Sequence, residues 1–180
     1  MSSIATAWVG ELALRHLDAA YNLGRWLLGN EQDAADAVHD AYLRAANGAH
    51  TYGGGNERAW WLAIVRNCCL AKLSARGREQ PPRAATREPA DAIAQTPADD
   101  VENRTEAALA QARIARHLRA LPAEFREALV LREFEDLSYR EIADVLGVPI
   151  GTVMSRLSRA RALLQRALDG DAAPEERDGL

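Results

Sequence analysis

Ser138-Tyr-Arg-Glu-Ile-Ala-Asp-Val-Leu-Gly-Val-Pro-Ile-Gly-Thr-Val-Met-Ser-Arg-Leu-Ser-Arg-Ala-Arg-Ala-Leu-Leu-Gln-Arg166 decides the reading of this chain. Ile142, Ala143 and Leu146 put one apolar face on a short helix. Gly147-Val148-Pro149 breaks it, because glycine tolerates a left-handed turn and proline cannot continue the hydrogen-bond ladder. A second helix follows, with Val153, Leu157, Ala160 and Leu164 at helical spacing on its inner face. Its outer face carries Gly151, Ser155, Ser158 and Ala162, flanked by Thr152 and Arg159. Small and hydroxyl residues let a helix approach base edges closely, and arginine pairs with guanine or with phosphate. The pattern predicts a helix-turn-helix that binds DNA. Short helix pairs also occur in ordinary bundles, and arginines often form a solvated face. Here the second helix holds Arg156, Arg159, Arg161 and Arg166 with no carboxylate before Asp169, in a chain of net charge −4. That local excess favours DNA binding.

The remaining composition narrows the class. A pI near 5.6 excludes a wholly basic nucleic-acid coat protein, so any DNA contact is local. The chain has no apolar run of about 18 residues, hence no membrane span. Its start lacks a basic region and meets Glu11 early, which predicts no signal peptide and a cytoplasmic location. Cys68 and Cys69 are adjacent, and helical neighbours point about 100° apart, which disfavours a disulfide between them. No second cysteine pair completes a zinc site, so both read as small buried hydrophobes. No serine–histidine–acid set, metal spacing or phosphate loop appears; no catalytic residue, metal or cofactor is expected.

The fold class expected is all-α: two small helical domains joined by a flexible linker, the second a helix-turn-helix. The first domain spans 1–76, the linker 77–104, the second domain 105–168 and a polar tail 169–180. Pro81, Pro82, Pro89 and Pro97 punctuate the linker, and Glu88, Asp91, Asp99, Asp100 and Glu102 make its second half acidic. Within the first domain, one helix is expected from Trp8 to Leu28 with a break near Asp18. Another is expected from Gln32 or Asp33 to Ala46, stopped by Asn47-Gly48, and a third from Glu57 to Leu73. The glycine-rich stretch Gly48–Asn56 reads as a loop able to mould onto a ligand.

Taken together, these stretches resemble bacterial RNA polymerase sigma factors of the extracytoplasmic-function (ECF) group, over residues 21–73 and 105–168. Leu121–Leu131 resembles the helix before that family's helix-turn-helix, and Leu137–Gly147 its supporting helix. Pro149–Arg161 is similar to the recognition helix used on the upstream, minus-thirty-five, promoter element. The resemblance implies DNA contacts from Thr152, Met154, Ser155, Arg156, Ser158 and Arg159. Arg156 lies nearer the core edge and is assigned a phosphate or structural role. Asp33-Ala-Ala-Asp-Ala-Val-His-Asp40 resembles the acidic motif that docks on the polymerase clamp helices, with Asp36, His39 and Asp40 the implied contacts. It departs from the family at Ala35, Ala37 and His39, where acid, leucine and glutamine are common. Arg58–Asn67 resembles the helix flanking the downstream, minus-ten, element. The resemblance implies that His50, Tyr52, Asn56, Arg58, Trp60, Arg66 and Asn67 hold the opened strand. Thr51-Tyr52-Gly53 departs from the aromatic-basic pair frequent in that loop. The Trp60-Trp61 pair leaves at least one tryptophan to the core.

The resemblance therefore implies an alternative sigma factor that binds core RNA polymerase and promoter DNA, with an anti-sigma factor as a further expected partner. A stand-alone helix-turn-helix regulator is the rival, and a structural adaptor a third reading. The acidic motif at Asp33–Asp40 and the Trp60–Asn67 helix separate the first from the second, since a regulator needs neither.

Overall fold

The structure, a computed structural model, describes residues 3–79 and 106–172, and among them all regular elements are helices. In chain order they are α1 (Ser3–Arg15), α2 (Leu17–Leu28), α3 (Glu31–Gly48), α4 (Glu57–Glu79), α5 (Glu106–Ala120), α6 (Ala123–Glu133), α7 (Tyr139–Leu146) and α8 (Ile150–Ala172). A single 3₁₀ turn, Ala49–Thr51, leads out of α3.

Local chemistry places the boundaries. The Asn30 side chain accepts the Asp33 amide at 2.8 Å and starts α3. Ser138 and Glu141 form a reciprocal capping box at the start of α7. Gly147 ends α7 at φ 66°, the left-handed conformation inferred from the sequence. Gly24 acts through space rather than backbone freedom: a Cβ there would lie 3.1 Å from the Ala34 Cβ, so glycine sets the close approach of α2 to α3.

α1 to α4 enclose Val9, Leu12, Leu23, Trp61, Leu62 and Val65, all at most 1% exposed. α6 to α8 enclose Leu131, Leu137, Ile142, Val153 and Leu157, equally buried. Burying a side chain of this size contributes roughly 1.5–3 kcal/mol. The inner face inferred for α8 is realised at Val153, Leu157 and Ala160, while Leu164 is half-buried. Cys68 and Cys69 are buried free thiols, and burial pushes Cys69 up to about 12.

Several expected boundaries shift. The break in the first helical stretch falls at His16, and that stretch begins at Ser3 rather than Trp8. α3 runs to Gly48 and passes directly into the 3₁₀ turn, because the next positive-φ glycines are Gly54 and Gly55. α4 continues to Glu79, past both Leu73 and the expected domain edge at 76/77. α8 continues through Asp169 and Gly170 to Ala172, so the expected tail starts as helix. One exposed glycine costs a helix only about 1 kcal/mol, too little to stop α4 at Gly77 or α8 at Gly170. The rest of the expected linker, and the tail beyond Ala172, lie outside the described residues.

The two helical halves also touch. α2 packs on α6, and α4 packs on α7. Trp26 of α2 meets Phe134 with ring centroids 5.4 Å apart, and the Arg119 guanidinium lies 5.7 Å from the Trp26 ring.

Candidate nucleic-acid and polymerase interfaces

The helix-turn-helix presents the outer face expected of it. Capped at Ser138 and turned at Gly147, α7 buries Ile142, Ala143, Val145 and Leu146. That packing leaves Met154, Ser155, Ser158 and Arg159 of α8 exposed and Thr152 half-exposed. Ser155 Oγ donates to the Thr152 carbonyl at 3.0 Å, so its hydroxyl hydrogen is committed and its lone pairs face outward. Among the described residues, Arg159 has no ion-pair or hydrogen-bond partner. Arg156 differs. It is 19% exposed and reaches back to α6, 3.6 Å from Glu124 and 3.5 Å from Glu127. The guanidinium thus sits at the core edge, against two acids of α6.

The acidic stripe lies on α3. Asp36, His39 and Asp40 follow i, i+3, i+4 spacing on α3, and all three are exposed. Gln32 donates to Asp36 at 3.3 Å, and Lys72 lies 3.6 Å from Asp40. Between them, α1, α2 and α3 leave an apolar groove of about 590 Å³ whose lining includes Leu14, Leu17, Tyr21, Val38 and His39. Leu14 is 74% exposed, an unusual setting for leucine beside an acidic stripe.

The residues assigned to the opened strand are not all free. His50 and Asn67 are exposed. Tyr52 is half-buried, with ring centroids 5.1 Å from Trp8 and 5.4 Å from Trp60, and its hydroxyl donates to the Gly55 carbonyl at 2.6 Å. Trp60 joins the same cluster, 5.7 Å from Trp8, whereas Trp61 is fully buried. Asn56 caps α4, its side-chain oxygen accepting the Ala59 amide at 2.9 Å, and its side-chain amide donates to Glu141 of α7. Arg58 pairs with Glu135 at 3.0 Å. Arg66 grips Glu127 with two parallel bonds of 2.8 and 2.9 Å. The family resemblance assigned Arg58 and Arg66 to the opened strand; here both are engaged by acids of the second half.

Three side chains that contact the assigned residues were passed over in the sequence reading. Trp8 gave no sign beyond its type. Glu127 and Glu135 are buried acids, 3% and 6% exposed. Glu127 had one available signal: a charge set directly before the apolar run Ala128–Leu131. Burial pushes the Glu135 carboxyl up, opposed by its bonds from Asn22 and Arg58. The Glu141 carboxyl is held down by the Ser138 amide and hydroxyl, with Asn56 adding to the effect.

A first half carrying an acidic stripe and a second half ending in a helix-turn-helix define a class of promoter-recognition proteins. Residues 12–79 match the family Sigma-70 region 2, and residues 111–164 match Sigma-70, region 4. The ECF RNA polymerase sigma factor SigE of Mycolicibacterium smegmatis is 36% identical over 159 residues, covering 86% of this chain and 59% of that protein. The RNA polymerase sigma-H factor of Pseudomonas aeruginosa is 37% identical over 142 residues, covering 76% and 74%. Among solved structures, the sigma factor RpoE of Bartonella quintana, in complex with the anti-sigma factor NepR, superposes with a TM-score of 0.66 at 27% identity. That match covers 93% of this chain and 98% of the other. The chain belongs to the sigma-70 family of RNA polymerase sigma factors, in its ECF group. Among its described residues, no helix is long and apolar enough to cross a membrane.

Proposed function

We propose that this chain works as an alternative sigma factor: it binds core RNA polymerase, directs it to a promoter class and assists opening of the duplex. The observation that carries the reading is the coexistence of two exposed faces on separate halves: the Ser155–Arg159 face of α8 and the Asp36–Asp40 face of α3. A DNA-reading helix alone suits many regulators. The separate acidic face suits a basic partner surface, which polymerase supplies.

In this reading α8 enters the major groove of the upstream element, with Ser155, Ser158 and Arg159 at base edges and Thr152 and Met154 beside them. Asp36, His39 and Asp40 dock on polymerase. His50, Tyr52 and Asn67, with Asn56, Arg58, Trp60 and Arg66, hold the displaced strand, aromatic rings stacking on bases and arginines reaching phosphates. Bond making belongs to the polymerase, and this chain performs no catalysis and needs no cofactor. An anti-sigma factor is a further partner, as NepR is for the Bartonella protein. A cytoplasmic location fits these proposed partners.

The test is docking. Asp36→Arg combined with Asp40→Arg reverses the charge of an exposed stripe with no buried role, so folding is retained while co-purification with core polymerase is lost. Undiminished co-purification returns these aspartates to a solvated surface and removes the argument for a polymerase partner.

A further inference from the structure

Three consecutive glycines, Gly53, Gly54 and Gly55, form the tip of the loop between α3 and α4. Glycine gives up the most conformational freedom on ordering, so such a tip holds one shape only where another group imposes it. Tyr52 is that group. Its hydroxyl donates to the Gly55 carbonyl at 2.6 Å and closes the loop across the glycines. Its ring packs against Trp60 of α4, 5.4 Å away, and Trp8 of α1, 5.1 Å away, and the two tryptophans lie 5.7 Å from each other. Tilted rings at these separations attract beyond the area they bury. α1 is tied to the same place twice more: it packs on the 3₁₀ turn, and Arg15 at its end pairs with Glu57 at the start of α4. Thr51 Oγ donates to the Gly48 carbonyl at 2.7 Å, and Asn56 caps α4. Of the loop's side chains, His50 alone is exposed with no hydrogen-bond or ion-pair partner among the described residues. A Cβ added at Gly53, Gly54 or Gly55 would meet nothing within 4 Å, so open space lies beside the loop backbone.

We propose that Trp8 is the positioning residue of this loop: from α1 it fixes Tyr52, Tyr52 fixes the glycines, and the pocket for a base taken out of the opened strand is formed before DNA arrives. The proposal rests on the assignment of His50, Tyr52 and Asn67 to that strand, and it adds a residue from a helix which that assignment leaves out. A preformed pocket needs no ordering of three glycines at the moment the strand enters. The Tyr52 ring then acts through the shape of the loop. His50 supplies the free side chain, and the bare glycine backbone leaves a flat base room to approach.

The experiment uses the full chain with core polymerase and a promoter taken from mapped start sites. 2-Aminopurine replaces each non-template base of the downstream element in turn. With the wild-type chain, one position is expected to change fluorescence apart from its neighbours, the base taken out of the stack. Trp8→Leu keeps apolar bulk on α1 and removes the ring. If about a tenth of its loops keep the competent shape, strand affinity at that position falls on the order of tenfold. Trp8→Phe is expected to restore most of it. In a Tyr52→Ala background Trp8→Leu should cost nothing further, because Trp8 acts through Tyr52; independent structural losses would add. Unchanged capture by Trp8→Leu, full additivity, or an equal fall in affinity for core polymerase overturns the proposal. Should Trp8→Leu fail to fold, Tyr52→Phe decides: it keeps all three rings and removes only the bond to Gly55, so capture should fall severalfold, and unchanged capture overturns the proposal. A wild-type chain with no such position fails the strand assignment itself, a result distinct from failure of Trp8.

Discussion

Arg159 and Ser155 stand side by side on the exposed face of α8, yet their truncations should differ in size. Arg159 has no partner among the described residues, so its full set of donors is available to a guanine edge. Losing such a contact costs about 1–3 kcal/mol, or roughly 5- to 150-fold in promoter affinity. Ser155 has already given its hydroxyl hydrogen to the Thr152 carbonyl at 3.0 Å. It can only accept from a base amino group, a single neutral hydrogen bond worth about 0.5–1.5 kcal/mol, or roughly 2- to 12-fold. Neither side chain is buried, so each substitution should leave stability within about 0.5 kcal/mol. The assay is run-off transcription by the holoenzyme from a promoter series with each upstream base pair changed in turn. Arg159→Ala should lose more than Ser155→Ala and should flatten the response at one base pair. Equal losses, or a loss spread evenly over all positions, would refute the base-edge role and make Arg159 a phosphate contact.

Other consequences follow from the same geometry. Arg156→Ala, which removes both ion pairs to α6, should lower thermal stability more than Arg159→Ala does, read by a melting curve. Gly147→Ala meets open space but keeps φ at 66°, so it should destabilise the chain by about 1–2 kcal/mol, with Gly147→Asn recovering part of the loss in a denaturant titration. The Glu141 carboxyl is lowered in the folded chain, so its contribution is complete above the ordinary glutamate range and disappears as pH falls through the lowered value. Glu141→Gln should therefore be less stable than wild type at neutral pH and converge with it in acid. Asn67→Ala with Tyr52→Ala should spare closed-complex formation and reduce open complex, with partial rescue on a pre-melted promoter bubble.

How much was legible in the sequence differs between the two halves for a physical reason. The helix-turn-helix is specified by local rules: a glycine that must be left-handed, a serine and glutamate that cap each other, and a 3.6-residue apolar stripe. Ile142, Leu146, Val153 and Leu157 accordingly sit where periodicity put them. The acidic stripe was equally readable, because Asp36, His39 and Asp40 share a face by spacing alone. The contacts of Arg58 and Arg66 were not. Their partners lie 77 and 61 residues away in sequence, and nothing in a charged helix face says which distant acid will cover it. The helices expected to end near Leu73 and Leu168 run on through Gly77 and Gly170, because a glycine stops a helix only where the backbone turns left-handed, and neither of these does.

The central claim is that this chain gives polymerase a promoter preference it lacks alone. The most direct measurement is to map the 5′ ends of transcripts made on genomic DNA by purified core polymerase, with and without the chain. The account predicts a discrete set of new start sites sharing an upstream and a downstream element, present only when both proteins are. Start sites unchanged by the chain, together with promoter binding by the chain in the absence of polymerase, would contradict it.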